Sequence, residues 1–293
     1  MIKVINLKLK LPYIIVFLIP VFIFVGIMYY MLGWSAIVSS MKWIGMTPIW
    51  NFAGIYNYQS LYNSSEFWLA FKNNIIWLIA FVIPTGIVGL IMAYLFEYVP
   101  RKLSSLLKSV FLYPLVISPV VAGVVWAWIF DPQYGIASTI FSVLNVHLGW
   151  LGDPAMATFC LIIAGIWQEL GFALVLYIAA IGEIPREHVE AAKIDGASYW
   201  AIFVNIVIPE VGHATLIVFS LLVLYSLQVF TLVWVMTSGG PGTSTEVLPY
   251  MMYKVTFDRL MVGQGAAISM VIFAISIIVL IPISISMMRR WMS

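Results

Sequence analysis

Residues 190–209 read EAAKIDGASYWAIFVNIVIP, a polar segment rich in small residues that lies between two long apolar stretches. Hydrophobic residues make up 63% of the chain and charged residues only 9%, so a run with many charges must leave the hydrocarbon core of a membrane. The charged residues of this segment and of the residues just before it are Glu183, Arg186, Glu187, Glu190, Lys193 and Asp195. We therefore predict a water-facing loop over residues 183–210, with two short helices that meet at Gly196 and a stop at Pro209.

The composition of the whole chain predicts an all-α membrane protein. Its 293 residues have a mean hydropathy of +1.05, too apolar for a soluble domain, and they provide several apolar segments of about 20 residues each. Six transmembrane helices are predicted over residues 12–32, 75–95, 110–130, 155–181, 214–236 and 266–287. Pro84 is expected to bend the second helix. The segment 33–72 is rich in aromatic residues and is predicted to be an ordered loop at the membrane interface.

The distribution of basic residues predicts the orientation of the chain. If the amino terminus lies inside, ten Lys and Arg residues fall on the inner side and four on the outer side, as the positive-inside rule requires. The inner residues are Lys3, Lys8, Lys10, Arg101, Lys102, Lys108, Arg186, Lys193, Arg289 and Arg290, and the outer ones are Lys42, Lys72, Lys254 and Arg259. Both termini and the loop 183–210 are therefore predicted to be cytoplasmic.

The charge balance and the cysteine content argue against several functions. A net charge of +2 provides no basic face for nucleic acid. Cys160 is the single cysteine, and His147, His188 and His213 lie far apart without metal-ligand spacing, so we expect neither a metal site nor catalytic residues. The phosphate-binding sequence G-x-x-x-x-G-K-[ST] is also absent from the 293 residues. Any energy from ATP must therefore come from a partner.

The order of residues in the opening stretch resembles the EAA motif of permease subunits in binding-protein-dependent ABC importers. The residues that carry the resemblance are Glu190, Ala191, Ala192, Asp195, Gly196, Ala197 and Pro209. Small side chains would let a helix seat closely on another protein, and Glu190 would supply a charge for a basic residue there. The IDGA sequence at 194–197 and the stretches WNFAGIYNY (50–58), WLGDP (150–154) and TSGGPG (237–242) are similar to those of the carbohydrate-importing group.

The resemblance implies a type I ABC importer permease fold in a single transmembrane domain over residues 1–293, with core spans at about 71–290. It implies a multi-pass protein of the cell membrane that pairs with a second, homologous permease subunit. It also implies two cytoplasmic ATPase subunits, which bind ATP and magnesium, and an extracytoplasmic sugar-binding protein. This chain itself is expected to hold no cofactor and to catalyse no reaction.

Polar residues at mid-membrane depth mark the expected substrate path. Glu169 is the single acidic residue well inside a predicted span, and a carboxylate there is costly enough to suggest a function. By resemblance, the neighbouring parts of the fourth and fifth spans line a sugar cavity, which gives the candidates Gln168, Glu169, Tyr225, Ser226 and Gln228. Side chains of these types suit a ligand rich in hydroxyl groups. They also suit hydrogen bonds between helices, and the sequence leaves both roles open.

Two other functional interpretations remain open at this stage. The first is a self-sufficient secondary carrier or channel, which would be expected to contain internal repeats or several ionisable relay residues. The second is an ABC importer permease for a solute that is not a sugar. Among carbohydrates, monosaccharides such as glucose and short oligosaccharides fit equally well.

Overall fold

A computed structural model of the chain describes residues 7–146 and 148–291. Lys3 and His147 of the sequence predictions lie outside these residues. Within them, regular structure is helical apart from an isolated antiparallel bridge between Met41 and Phe52. The helices are α1 (Leu7–Ser39), α2 (Tyr56–Tyr62), α3 (Ser65–Ala80), α4 (Val82–Phe96), α5 (Arg101–Val116), α6 (Pro119–Ile129), α7 (Ile136–Val143), α8 (Pro154–Gly182), α9 (Arg186–Ile194), α10 (Tyr199–Ile202), α11 (Ile208–Glu210), α12 (Gly212–Gln228), α13 (Thr231–Met236), α14 (Leu248–Tyr253) and α15 (Val262–Trp291).

Four of these segments are long and apolar enough to cross a membrane, and the number rises to six if each of two bent helix pairs counts as one span. The four are Leu18–Ser39, Ser65–Phe96, Pro154–Gly182 and Val262–Ser286. The bent pairs are Arg101–Val116 with Pro119–Ile129, at 104°, and Tyr199–Glu210 with Gly212–Gln228, at 73°. The prediction of an all-α membrane protein is therefore confirmed, and the orientation of its termini stays a prediction.

The predicted loop 33–72 is largely helical, which corrects the sequence interpretation. Helix α1 continues to Ser39, α2 occupies the middle, and α3 already begins at Ser65. Ser64 caps α3, because its hydroxyl accepts a hydrogen bond from the backbone N–H of Phe67 at 3.3 Å. A polar cap lets a helix start at a point where no apolar residue marks its beginning.

Two predicted spans are broken rather than straight. The segment 110–130 divides at Ile117 and Ser118, because Pro119 cannot donate a backbone hydrogen bond and holds the residue before it in an extended conformation. The segment 214–236 divides into α12 and α13 at Val229 and Phe230. The second span is interrupted at Phe81, directly after the Ala80 carbonyl that Pro84 cannot bond.

Helix α8 is the centre of the bundle. It contacts α3, α4, α5, α6, α12 and α13, and its 29 residues give it a length of about 43 Å. Glycine allows close contact between α4 and α8, since a Cβ at Gly89 of α4 would lie 2.9 Å from the Cβ of Ala173. Fully buried Trp77, Phe81 and Tyr177 fill the space around it. The functional side chains are therefore displayed on a closely packed bundle.

We expect Gly89→Val to destabilise the bundle, because the larger side chain must push α4 away from α8. Overpacking of this kind costs about 1–3 kcal/mol. The matched control is Gly33→Val in α1, where a Cβ meets nothing within 4 Å. Thermal unfolding of the detergent-purified protein measures the effect. Equal melting temperatures for the two variants would contradict close packing at Gly89.

Candidate functional site

The turn at Gly196 closes helix α9 in a Schellman motif. Gly196 has a φ of +77°, and its backbone N–H donates to the carbonyl of Lys193 at 3.1 Å. The N–H of Ala197 donates to the carbonyl of Ala192 at 2.9 Å. This pair of bonds satisfies the last carbonyls of the helix and needs a residue that adopts positive φ easily. The predicted meeting of two short helices at Gly196 is confirmed.

The second helical segment of the loop passes Pro209 instead of stopping there. Helix α10 leads into a π-helical segment, Phe203–Val207, and then into α11, which ends at Glu210. A wide π turn before Pro209 accommodates the hydrogen bond that proline cannot donate. The chain then bends by 73° into α12. The sequence prediction is therefore corrected in two respects: the helical segment ends one residue later, at Glu210, and it contains a π turn.

The loop presents exposed small and apolar side chains around the Gly196 turn. Glu190, Ala191 and Asp195 are exposed, whereas Ala192 and Ala197 are half-buried. Three large apolar side chains beside the turn are also largely exposed: Ile194 at 86%, Trp200 at 67% and Tyr199 at 64%. Apolar groups collected at the tip of a charged loop are typical of a surface that another protein covers.

The opposite face of the loop is packed on the bundle through α4. Ile202, Phe203 and Val207 are buried, and the hydroxyl of Tyr94 donates a hydrogen bond of 2.8 Å to the carbonyl of Tyr199. A cavity of about 320 Å³ lies beside this contact. Its lining includes Glu97, Arg186, Glu190 and Lys193, so the candidate Glu190 faces a charged cleft between the loop and the bundle.

The contact of Tyr94 was not predicted from the sequence. Tyr94 and Tyr98 lie four residues apart near the end of an apolar segment, which is also the pattern of tyrosines at a membrane interface. The spacing of four residues indicates that both tyrosines lie on one face of a helix. It does not indicate which segment of the chain packs against that face.

The five candidate path residues divide into two groups. Gln168 and Ser226 are buried between helices, and the Ser226 hydroxyl donates to the Val223 carbonyl of its own helix at 2.8 Å. Glu169 and Tyr225 are half-buried, and Gln228 is exposed. The second group is at least partly exposed, whereas the side chains of the first group are enclosed by the packed helices.

Glu169, Tyr225 and Gln228 form a polar strip beside the helix breaks. The Glu169 carboxyl is close enough to the Tyr225 hydroxyl to interact with it electrostatically, and the Tyr225 ring stacks on Phe81 with 5.1 Å between the ring centroids. Tyr225 and Gln228 line a cavity of about 180 Å³ together with Pro119. The breaks in the third and fifth segments thus meet at this cavity, where irregular backbone is tolerated because it lines a space rather than facing lipid.

An ion-pair network closes the end of the bundle opposite to the loop. Lys254 places its ammonium 2.7 Å from the carboxylate of Glu66 and 2.8 Å from that of Glu246, and Arg259 lies 2.7 Å from Glu66. Burial raises the pKa of the Glu246 carboxyl above its ordinary value although Lys254 acts against it. Burial tends to lower the pKa of Lys254, but the bonds and charges of Glu246 and Glu66 outweigh it and raise the pKa. Lys254 therefore stays a cation between two carboxylates.

Two asparagines of α3 hold the loop that carries Glu246. Asn73 donates to the carbonyls of Ser244 and Glu246, each at 2.8 Å, and the Asn74 side-chain oxygen accepts from the N–H of Leu248 at 2.7 Å. Sequence reasoning had identified Glu169 and missed Glu246, whose side chain is fully buried. No local pattern marks a glutamate in the sequence TSTEV as buried. Its environment comes from residues far away in the chain.

Among the residues that the structure describes, no group of three or more His, Cys, Asp or Glu side chains could hold a metal ion. His188 instead pairs with Glu210 at 3.2 Å and joins α9 to α11 within the loop.

A family model described as "Binding-protein-dependent transport system inner membrane component" matches residues 85–293. The "Probable ABC transporter permease protein" of Pyrococcus horikoshii is 38% identical over 93% of this chain and 94% of its own length. The "Glucose import system permease protein" of Saccharolobus solfataricus is 28% identical over 94% of this chain and 97% of its own length. A chain of the bacterial alginate ABC transporter, crystallised with an alginate pentasaccharide-bound periplasmic protein, shares the fold with a TM-score of 0.83 and 18% identity over 95% of this chain and 94% of that chain.

We expect Lys254→Met to destabilise the end of the bundle that carries Glu246. Removing one partner leaves a buried, uncompensated carboxylate, which costs about 3–5 kcal/mol. Lys72→Met, which removes an exposed lysine, is the matched control. Melting temperature in detergent measures the loss, and adding Glu246→Gln to Lys254→Met should restore part of it. A double variant no more stable than Lys254→Met alone would contradict this account.

Proposed function

This chain belongs to the family of binding-protein-dependent transport system inner membrane components, and we propose that it imports a carbohydrate. It is an ABC importer permease, a role that a self-sufficient carrier or channel does not share. The proposed substrate is a monosaccharide such as glucose or a short oligosaccharide. The support is the sugar-importing relative together with a path whose reachable groups, Glu169, Tyr225 and Gln228, donate to and accept from hydroxyl groups.

The observation that carries the proposal is the exposed turn at Gly196. Its backbone hydrogen bonds are complete within the chain, and a Cβ at Gly196 would meet nothing within 4 Å. Small residues and exposed apolar side chains there leave room for a second protein to approach the backbone. We assign this surface to a cytoplasmic ATPase subunit, because the 293 residues lack a phosphate-binding loop of their own.

The proposed assembly contains this chain, a second permease subunit, two ATPase subunits that bind ATP and magnesium, and an extracytoplasmic sugar-binding protein. The periplasmic protein bound in the alginate transporter supports the last of these partners. The proposed location is the cell membrane, with both termini and the loop 183–210 in the cytoplasm. Ten basic residues on that side against four on the other support this orientation.

We expect Gly196→Trp to prevent copurification of the ATPase subunit while the permease still inserts into the membrane. The bulky ring would occupy the space in which the partner approaches the turn. Gly196→Ala is the matched control, because it carries the same strain of positive φ, about 1–2 kcal/mol, without the bulk. Affinity purification of each variant and quantification of bound ATPase give the result. Equal ATPase recovery for the two variants would contradict the proposed docking surface.

We expect Glu169→Gln to reduce uptake more than assembly. A hydrogen bond to a charged group contributes about 1.5–3 kcal/mol, which corresponds to about tenfold or more in binding. Gln228→Ala should change affinity or substrate preference. Asp258→Asn, an exposed site at the other end of the bundle, is the control. Uptake of radiolabelled sugar into vesicles with the complete complex is the measurement. Unchanged uptake together with lost assembly in Glu169→Gln would assign this residue to helix packing.

A further inference from the structure

Tyr94 joins the proposed docking loop to the bundle by two hydrogen bonds at one hydroxyl. Its hydroxyl donates to the carbonyl of Tyr199 at 2.8 Å. That leaves it to accept from the hydroxyl of Tyr98, 2.7 Å away. Tyr94 is 8% exposed, and it borders the cavity of about 320 Å³ between the loop and the bundle. Tyr199 lies three residues after Gly196, directly beside the turn at which the ATPase is proposed to dock.

Ring contacts reinforce these hydrogen bonds. The ring of Tyr94 lies 4.9 Å from that of Phe203, and the ring of Tyr98 meets that of Tyr199 edge to face at 4.8 Å. Aromatic pairs at such distances add to the stability of a contact beyond the area they bury. The loop thus contacts Tyr94 of α4 and Tyr98, two residues beyond the end of α4, through Tyr199 and Phe203. We name these four residues the tyrosine joint.

Both covalent connections of the loop contain a break in regular structure. On one side, residues 183–185 separate α8 from α9. On the other side, a π-helical segment precedes a bend of 73° between Glu210 and Gly212. Such breaks absorb rotation, because a few residues at the end of an element can change their dihedral angles. A rigid transfer of loop movement therefore depends on the tyrosine joint more than on the chain itself.

Helix α4 leads from the tyrosine joint to the polar strip of the path. Tyr94 lies thirteen residues after Phe81, which corresponds to about 20 Å along a continuous helix. Phe81 stacks on Tyr225. Between these two points, Gly86 and Gly89 press α4 against Phe219 of α12 and Ala173 of α8. Its contacts along this length are apolar side-chain contacts together with those at the two glycines, and the described residues 82–93 form no side-chain hydrogen bond to a neighbouring helix. A displacement of one end can therefore move the helix as one body.

We propose that Tyr94 is a positioning residue that transmits movement of the ATPase-docking loop through α4 to the path at Phe81 and Tyr225. This inference rests on the proposed function, because it requires an ATPase on the loop. It assigns α4 a role separate from docking. The docking surface binds the ATPase subunit. The tyrosine joint passes the displacement of the loop to α4, which in turn shifts the path at Phe81 and Tyr225.

The test uses the purified complex of this chain with its ATPase, and a cysteine reporter in the path. Cys160→Ser removes the native thiol and Gln228→Cys introduces one at an exposed position of the cavity. The rate of labelling by a methanethiosulfonate reagent is measured without nucleotide and after trapping with Mg-ATP and vanadate. In the parent complex, nucleotide should change the rate at least about fivefold, the lower end of coupling between distant sites.

Tyr94→Phe should abolish this nucleotide response, because it removes both hydrogen bonds and keeps the ring. The amount of copurified ATPase should remain that of the parent. Tyr98→Phe should retain the response, since the bond from Tyr94 to Tyr199 persists. Tyr113→Phe, on an exposed position of α5, controls for the loss of a hydroxyl elsewhere.

The possible outcomes separate this inference from the proposed function. A Tyr94→Phe complex that responds to nucleotide like the parent overturns the inference, and so does a parent complex that contains ATPase but shows no response. Loss of the ATPase from Tyr94→Phe would assign the residue to docking and would also overturn it. If the parent chain copurifies with no ATPase, the proposed function fails first and the inference fails with it.

Discussion

Backbone hydrogen bonding within an apolar solvent is the constraint on which this structure depends. Every N–H and C=O group at membrane depth has to find a partner inside the protein, so irregular backbone is restricted to places that face a cavity or other protein groups. The breaks at Ile117 and Ser118 and at Val229 and Phe230 obey this rule, because both adjoin the cavity lined by Pro119 and Gln228. The cavity and the breaks are thus one feature, since the cavity permits the breaks and the breaks shape the cavity.

The positions of charged side chains are limited by the same apolar solvent. Glu169 is half-buried in the interior of a long apolar helix, whereas the paired charges, Glu66 at the start of α3 among them, collect at the two ends of the bundle. Glu246 is fully buried but lies next to Lys254 and receives support from Asn73. A buried carboxylate depends on such a cation, because leaving it unpaired is strongly destabilising. Glu169 forms no ion pair of this kind among the described residues.

The elements that could be predicted from the sequence are those marked by residues within or next to the element itself. Helix α8 was predicted to within one residue at each end, because Asp153 caps it and a run of apolar residues fills it. The Gly196 turn was predicted for the same reason, since Gly196 and the flanking charges mark it locally. The break at Val229 and Phe230 has neither glycine nor proline to mark it, and the segment after it, α13, packs against α6, which is distant in sequence. The burial of Glu246 and the bond between Tyr94 and Tyr199 likewise depend on residues that are distant in sequence.

The two faces of the loop explain how a short, charged segment can serve as a connection between proteins. Its inner face, with Ile202, Phe203 and Val207, is buried against the bundle, and its Schellman turn completes the hydrogen bonds of α9 without outside help. Its outer face, with Ile194 and Trp200, remains uncovered in this chain. A partner that covers the outer face therefore finds the loop already ordered, and little of its binding energy is lost in fixing the loop's conformation. Because the same segment is held from within by Tyr94, a displacement imposed on its outer face meets a bonded contact to the bundle rather than a free hinge.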